Sequence, residues 1–586
     1  MSMISDPAAP TDAPQTSGAF SRRTAAIVGG VVLLAVVVGV TLGVVLTTSR
    51  GGALGPAAEY VPGDAVMYFE ARLDLPGSQR DALRAILERF PAVDPDDVLG
   101  VALADTLDEA LADGDAPFDY STDIAPWFDG RVALAVVDYP MSMDPMSIDP
   151  MSMELPSVLA MVGVRDQAGA AALGDTLRAE AESNGVTLGS SEHRGVTIWS
   201  VDVEPSPFIP MSVGFAYAVT ADQLLLATGT DEIETALDVH AGDGASLADT
   251  DAISELVAGL ADDRVALMTV HTAALLEDLQ AAMATQQPEM AEALSGYLDG
   301  LPPYSATSVR FEDDAVVIDG VSGVGEGALA QTNSRRDLAA RVPGDAILFA
   351  DQPDLGASLE QGITTFVTAF AAGPMGPDAQ EMLDQVESAL GADLSDFVSW
   401  IGDGAVVAGW DGTQPYGGLV LQAEDPDAAA RRLGQLSALA ELASQDLSSG
   451  VDVVTETFQD TEVTTISTSG SMSGVVVEYA IDDDVALIGF GDRFVRGVLA
   501  LDAANSLAAS GRFTDAVDRF GGDDNAGVLW LDLAGLREAF ESLMGAVPDG
   551  TYLSDVQPNL EPLDYVVGVT RVEGEQTVSR GALVLR

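Results

Sequence analysis

The most apolar stretch of the chain runs from Thr24 to Ser49, and these 26 consecutive residues include no charged side chain. As a helix the stretch would be about 39 Å long at 1.5 Å per residue, enough to cross a hydrocarbon core of about 30 Å. A cleaved signal peptide has a shorter apolar region, about 7 to 15 residues, followed by a small-residue cleavage site that is missing here. We therefore predict an uncleaved N-terminal transmembrane helix at residues 24–49.

The arginines beside this stretch predict its orientation. Arg22 and Arg23 precede the span and only Arg50 follows it closely, so the N-terminus is expected in the cytoplasm. Residues 1–23 are then a short disordered cytoplasmic tail, and 50–56 are a linker. The large C-terminal region is expected outside the cytoplasm, which makes the chain a single-pass protein of the cell membrane.

Two glycines in the span raise the question of dimerisation. Gly39 and Gly43 form a small-xxx-small pair through which two spans could pack closely into a homodimer. The alternative is that they are incidental glycines of a helix rich in valine and glycine.

After residue 56, short apolar runs alternate with polar turns, as expected for β-strands. Acidic turns such as the one between FAYAV and LLLATG indicate hairpins, and therefore mostly antiparallel pairing. Helical spacing of apolar residues appears between some strands. One predicted helix runs from Ser78 to Phe90 with Ser78 and Asp81 as its caps, and Asp231 with Glu234 resembles a capping box for another.

The sequence pattern of these strands and helices occurs twice along the chain. The segment VPGDAVMYF at 61–69 recurs as VPGDAILF at 342–349, and further matches follow in the same order. Trp127 matches Trp400, and Tyr217 matches Tyr479. We predict two homologous domains at 57–328 and 337–586 joined by a linker at 329–336, with an additional loop at 141–153 in the first domain. The predicted fold class is α+β: an N-terminal transmembrane helix plus two homologous domains, each a mostly antiparallel sheet with helices packed mainly on one face.

The charge changes which partners are expected. The formal net charge is −66, and all 26 basic residues are arginine. Such a field repels phosphates, so no nucleic acid partner is expected. The acidity fits either a GC-rich genome or adaptation to high salt, and the two causes are compatible. The absence of cysteine rules out disulfides and thiolate catalysis.

The segment YVPGDAVMYFEARLDLPGSQ at the start of the first domain resembles an uncharacterised bacterial family. Its members are described as proteins with a domain of unknown function. They share a single N-terminal span and a large extracytoplasmic region. The resemblance implies an anchored outer-surface protein and brings no activity and no catalytic residues.

Few chemistries fit the sequence. The lack of lysine excludes a P-loop lysine and a Ser–Lys dyad. His193, His240 and His271 are scattered and match no catalytic or zinc motif. Asp482, Asp483 and Asp484 are candidate ligands for Ca²⁺, a cation that binds several oxygens, although they lack EF-hand spacing. The alternative is a hydrated hairpin turn. No catalytic residue, cofactor-binding residue or cofactor is predicted.

Two functions from different classes remain. The first is a membrane-anchored, non-enzymatic binding or scaffolding module of the cell envelope, whose partner is an envelope protein or polymer. The alternative is an extracytoplasmic hydrolase that uses carboxylates, with or without a metal. A pocket in which acidic residues from separate segments converge would favour the enzyme.

Overall fold

The structure is a computed structural model, and it describes most of the chain after residue 53. The described residues are 54–586 except 100, 114–115, 139–155, 184, 204–212, 287–290, several positions of 292–299, 326–330, 336, 373–380, several positions of 382–389, 447–450, 469–475 and 544–551. The loop predicted at 141–153 thus lies outside the described residues.

The apolar runs of the sequence form strands. Those before residue 330 are β1 (Met67–Arg72), β2 (Phe128–Asp138), β3 (Ser157–Val164), β4 (Gly189–His193), β5 (Val196–Val203), β6 (Val213–Val219), β7 (Gln223–Ala227), β8 (Ala266–His271), β9 (Tyr304–Glu312) and β10 (Ala315–Gly323). Those after it are β11 (Ser334–Arg335), β12 (Ala346–Gln352), β13 (Ile401–Trp410), β14 (Pro415–Ala423), β15 (Val451–Phe458), β16 (Thr461–Thr468), β17 (Val476–Asp482), β18 (Val485–Phe490), β19 (Asp524–Asn525), β20 (Gly527–Asp532), β21 (Leu563–Glu573) and β22 (Gln576–Leu585).

Helices fill the longer connections between strands. In the first half they are α1 (Gly77–Leu87), α2 (Pro95–Leu99), α3 (Val101–Asp113), α4 (Gln167–Ser183), α5 (Thr230–His240), α6 (Asp251–Ala258) and α7 (Thr272–Gln286). In the second half they are α8 (Leu355–Ala372), α9 (Leu394–Val398), α10 (Pro426–Asp446), α11 (Phe494–Leu499), α12 (Gly511–Phe520), α13 (Leu533–Leu543) and α14 (Gln557–Leu560).

Twenty strands form one sheet, and all their described pairings are antiparallel. The order in the first half is β4-β5-β6-β7-β3-β2-β1-β8-β9-β10. The order in the second half is β15-β16-β17-β18-β14-β13-β12-β20-β21-β22. Strand β10 pairs with β22, and this pairing, here called the seam, joins the halves edge to edge. Strands β11 and β19 form a separate short pair.

The two halves pair their strands in the same order. Trp127 and Trp400 are both buried, just ahead of β2 and β13, and Tyr217 and Tyr479 hold matching places in β6 and β17. The domain boundaries at 57–328 and 337–586 stay predictions, because the sheet continues from one half into the other.

Helices cover both faces of the sheet, which corrects the predicted one-sided packing. In β3, Leu159 and Met161 belong to a core that includes α5, whereas Ala160 and Val162 belong to another core that includes α4. The physical reason is that this strand is apolar at consecutive positions, so neither face can be left to water.

The predicted N-terminal transmembrane helix is also corrected. Among the helices of the described residues, none is both long and apolar enough to cross a membrane. The longest of them, α10, has 21 residues but carries an aspartate and two arginines in its first two turns. Residues 24–49, including Gly39 and Gly43, lie outside the described residues. The described residues therefore form an α+β fold with no membrane-spanning helix among them, and the membrane partner, the span-mediated homodimer and the single-pass localisation are not supported.

Candidate functional site

The sequence-predicted calcium ligands lie in a hairpin turn. Asp482, Asp483 and Asp484 connect β17 to β18, and Asp483 has a positive φ of 54°. One carboxylate oxygen of Asp482 already accepts a hydrogen bond from Arg341 at 2.8 Å. Within the described parts of the chain, no group of three or more acidic or histidine side chains is arranged to hold a metal. The calcium site stays a prediction, without a cluster to support it.

The three histidines lie apart in the first half. His193 is 2.7 Å from the carboxylate of Asp238 through its Nε2 atom. The His240 ring stacks on Tyr60 and the His271 ring stacks on Tyr304, with centroid separations of 3.9 and 4.3 Å. Each histidine therefore has its own local packing partner, and the structure does not bring the three together.

An open cleft lies in the second half. Its volume of about 890 Å³ is within the range of about 300–1,000 Å³ typical of small-molecule sites. Four segments line it: the turn at 343–345 before β12, the hairpin of β13 and β14, residues 492–497 around the start of α11, and the 3₁₀ turns at 501–510. We call this cavity the cleft.

Two stacked aromatic side chains lie at the cleft, the partly buried Tyr416 and, beneath it, the buried Phe494. The rings of Tyr416 and Phe494 lie 6.4 Å apart and nearly parallel, at 22°. Glycines make room for both. A Cβ on Gly409 would lie 2.2 Å from the Tyr416 ring, and one on Gly418 would lie 2.4 Å from the Phe494 ring. Any larger residue at these glycines would therefore displace the aromatic surface.

Carboxylates from three separate segments reach the cleft. Asp345 accepts a hydrogen bond from the Tyr416 hydroxyl at 3.0 Å. Asp411 accepts hydrogen bonds from the backbone amides of the turn that follows it and from Arg493. Asp492 comes from the end of the β18 segment. The cleft thus has an acidic rim. It also has a neutral hydroxyl donor, because burial and the charge of Asp345 raise the pKa of Tyr416 well above its usual value.

The arginines of the cleft are already neutralised by protein carboxylates. Arg493 pairs with Asp411, as described above. Arg496 donates two hydrogen bonds to Oε1 of Glu478, at 3.0 and 2.9 Å, and its Nη1 lies 2.5 Å from Glu456. Hydrogen bonds to Glu478 and Glu456 raise the pKa of Arg496 and keep it charged. The cleft therefore offers more negative than positive charge to a ligand.

The residues of the cleft are distant along the chain, so the sequence alone does not group them. A signal was available in the comparison of the two repeats. Where the first half has Asp231, Glu232 and Glu234, the second half has Arg493, Phe494 and Arg496 at the matching positions after the hairpin. The two repeats therefore differ in charge at this segment, and this difference is the sequence signal that points to the cleft.

Comparisons with known proteins give a family and no activity. No curated protein matches the chain. One solved structure, "Structure of crystal form III of TP0453", aligns at 10% sequence identity over 42% of this chain and 93% of that one. Its TM-score of 0.18 is too low to support an argument about fold or function. A family model described as "Protein of unknown function (DUF3352)" matches residues 27–586, and it says nothing of a membrane span or a location. The match confirms the resemblance to an uncharacterised family, and the chain belongs to the DUF3352 family.

Proposed function

We propose that the protein is a non-enzymatic binding module that holds an organic cation in the cleft of its second half. The observation that carries this proposal is the convergence of Asp345, Asp411 and Asp492, from three segments, around the ring of Tyr416, which stacks on the buried ring of Phe494. The envelope location predicted together with this function depended on the membrane span and is not part of the proposal.

The charge balance of the cleft favours a cation. Arg493 and Arg496 are both engaged by carboxylates of the protein, so neither is free to recruit an anion. The rim keeps Asp345 and Asp492 facing the cleft, and an ammonium or guanidinium group can also lie over the face of an aromatic ring. The net charge of −66 further concentrates cations near the protein.

The hydrogen bonds of the acids favour binding over catalysis. Asp411 accepts from two backbone amides and an arginine, so it is held as part of its turn. One oxygen of Asp345 accepts a hydrogen bond from the Tyr416 hydroxyl. A general acid or base must present its carboxyl to the substrate, and these contacts already occupy oxygens of both aspartates.

Calorimetry on the protein with spermidine, agmatine and choline tests the proposal, with glutamate and glucose as anionic and neutral probes. All titrations are run at one ionic strength, because salt screens exposed charges. We expect the amines to bind and the other probes not to bind. Asp345→Asn and Asp492→Asn should each weaken amine binding about tenfold, a change of about 1.4 kcal/mol.

The matched control is Asp64→Asn, because Asp64 is the first-half counterpart of Asp345 in the repeated VPGD segment. This variant should bind the amines as the unmodified protein does. If no amine binds, or if Asp64→Asn weakens binding as much as Asp345→Asn, the cleft is not the site.

The hydrolase alternative keeps one supporting observation, the convergence of acids from separate segments in the cleft. It requires turnover. Release of product from a panel of glycosides and esters, lost in both Asp345→Asn and Asp492→Asn but kept in Asp64→Asn, would replace the binding proposal by this alternative.

A further inference from the structure

The hairpins on the two sides of the seam are counterparts of each other. In the first half, Glu312 of β9 pairs with Ala315 of β10 across a two-residue turn. In the second half, Glu573 of β21 pairs with Gln576 of β22 across a turn of the same length. Each residue of the second hairpin therefore lies 261 positions after its counterpart in the first.

The register of the seam is symmetric under this correspondence. Strands β10 and β22 form nine residue pairs, from Ala315 with Val584 to Gly323 with Gln576. The central pair joins Asp319 to Arg580, and these two residues are each other's counterparts. A local two-fold axis thus passes between Asp319 and Arg580, as in an isologous contact between identical subunits.

A true two-fold axis would place identical residues against each other at this point, but the chain places opposite charges there. Asp319 is only 2% exposed. Its Oδ1 accepts a hydrogen bond from Nε of Arg580 across the seam, and its Oδ2 accepts one from Nε of Arg310 on β9 at 3.0 Å. The carboxylate is therefore held from both sides by guanidinium groups.

An unpaired hydrogen-bond donor on the other side of the axis shows the same asymmetry between the two halves. Arg571 on β21 is the counterpart of Arg310, and its Nε is buried without a hydrogen-bond partner in the part of the chain that the structure describes. The equivalent atom of Arg310 binds Asp319. Arg571 lacks this partner because the position that would supply the acid is occupied by Arg580.

We propose that the pair of Asp319 and Arg580 sets which strand can occupy each side of the seam. Strand β10 accepts β22 of its own chain, whereas pairing with β10 of a second copy would bury two aspartates face to face. Pairing of two β22 strands would likewise oppose two Arg580 side chains near two Arg571 side chains. Because opposed like charges are costly, most of all where they are buried as Asp319 is, the seam favours unlike halves.

Charge-reversal variants of the full chain test the pairing. Arg580→Asp and Asp319→Arg each place like charges at the axis, and each should lower Tm by about 5 °C or more. Amides of β10 and β22 should also exchange with deuterium at least tenfold faster. The double reversal should restore most of both losses, because Asp at 580 would gain Arg571 as its partner just as Asp319 has Arg310.

Arg431→Asp is the charge-matched control, since Arg431 is exposed on α10. It should leave seam exchange unchanged. Single reversals that behave like this control, or a double reversal that restores nothing, would overturn the proposal.

A second variant separates specificity from stability. Asp319→Val with Arg580→Val removes both charges and keeps β-branched side chains, so the seam should remain stable. After unfolding and refolding at high protein concentration, it should give several-fold more intermolecularly paired dimer than the unmodified protein, measured by light scattering. If it refolds to monomer as completely as the unmodified protein does, the pair is not a specificity device.

Discussion

At the scale of single residues, Glu70 of β1 is a buried acid with few hydrogen-bond donors around it. Its Oε2 accepts hydrogen bonds from the Tyr68 hydroxyl at 2.7 Å and from the Gly55 amide at 2.8 Å. Its Oε1 has no hydrogen-bond partner among the described residues. Burial raises the pKa of Glu70 above its usual value of 4.5, and the nearby Arg264 and Arg131 oppose this only in part.

This pKa shift predicts how Glu70 affects stability. When pH rises above about 4.5, the unfolded chain releases the Glu70 proton while the folded chain retains it. The folded state then binds more protons, so the contribution of Glu70 to the free energy of unfolding falls as pH rises through the folded pKa. Glu70→Gln cannot ionise and avoids this loss. The Tm of Glu70→Gln minus that of the unmodified protein should therefore increase from pH 4.5 to pH 8 in thermal melts.

Glu192→Gln, on the exposed edge strand β4, controls for the loss of one negative charge. If the Tm difference between Glu70→Gln and the unmodified protein does not change with pH, or changes with pH as it does for Glu192→Gln, the raised pKa of Glu70 is contradicted.

The sequence cannot single out Glu70, because it is one of 92 acidic residues and its burial depends on distant groups. Local signals do identify some residues. The alternative of a hairpin turn at Asp482, Asp483 and Asp484 agrees with the turn observed between β17 and β18, since consecutive aspartates between two apolar runs favour a turn whatever the fold.

At the scale of elements, the predicted helix caps were wrong and the true ones lie elsewhere. Helix α1 begins after Pro76 and has no side-chain cap, and α5 begins after Gly229 without one. A capping box does occur at the 3₁₀ turn Leu247–Asp249, where Ser246 and Asp249 satisfy each other's backbone amides. The cap positions are held by Pro76 and Gly229, which have no side-chain acceptor, so the polar residues that follow them lie inside the helices and were misread as caps.

The capping box gives a prediction with an internal control. Ser246 and Ser506 hold matching places in the two halves and are equally buried, at 4% exposed. Only Ser246 caps its turn with the side chain, whereas the Ser506 hydroxyl donates to the Ala503 carbonyl. Ser246→Ala should cost about 1 kcal/mol of unfolding free energy in urea denaturation. Ser506→Ala should cost clearly less, and equal losses would mean that the capping box contributes nothing special.

The positions of the strands in the sequence were predicted better than their pairing in the sheet. The run VMYFEARL contains β1, and RVALAVV lies within β2, because a short apolar run bounded by turn residues indicates a strand. Such a run does not say which strand lies beside it. The pairing of β1 with β8, nearly 200 residues away, is fixed by packing of the whole sheet. Packing on both faces was missed for the same reason.

At the scale of the whole molecule, carboxylates exceed what arginine can neutralise. There are 92 acidic residues and 26 arginines. Several arginines already serve two acids each: Arg512 binds Asp532 and Asp564, and Arg519 binds Glu312 and Asp314. Most acidic residues must therefore repel one another across the surface.

Salt should reduce this repulsion. The Debye length falls from about 10 Å at 0.1 M to about 3 Å at 1 M, so Tm should rise as NaCl is raised from low to molar concentration. Thermal melts across the series measure the effect. A comparable rise from millimolar Ca²⁺ at low ionic strength, absent with NaCl of matched ionic strength, would indicate specific metal sites instead. A Tm indifferent to both salts would leave genome composition as the explanation for the acidity.

The candidate cleft belongs to this scale too, and the sequence could not predict it. Asp345, Asp411 and Asp492 are separated by more than sixty residues at each step, and only the folded second half brings them to one cavity. The duplication was visible in the sequence as matched segments. The single continuous sheet was not, because nothing in a repeat shows which edges will meet.

The position of β22 in the sheet determines when the sheet can be completed during synthesis. It is the last strand in chain order, yet it lies between β10 and β21 at the centre. About 250 residues separate β10 from β22, so a ribosome adding about 5–20 residues per second needs about 13–50 seconds to supply the partner. During that interval the nascent chain carries β10 with an open edge, close to identical chains on the same messenger RNA. Asp319 lies in the middle of that open edge. Its charge disfavours pairing of β10 with β10 of a neighbouring chain until β22 of the same chain has been synthesised.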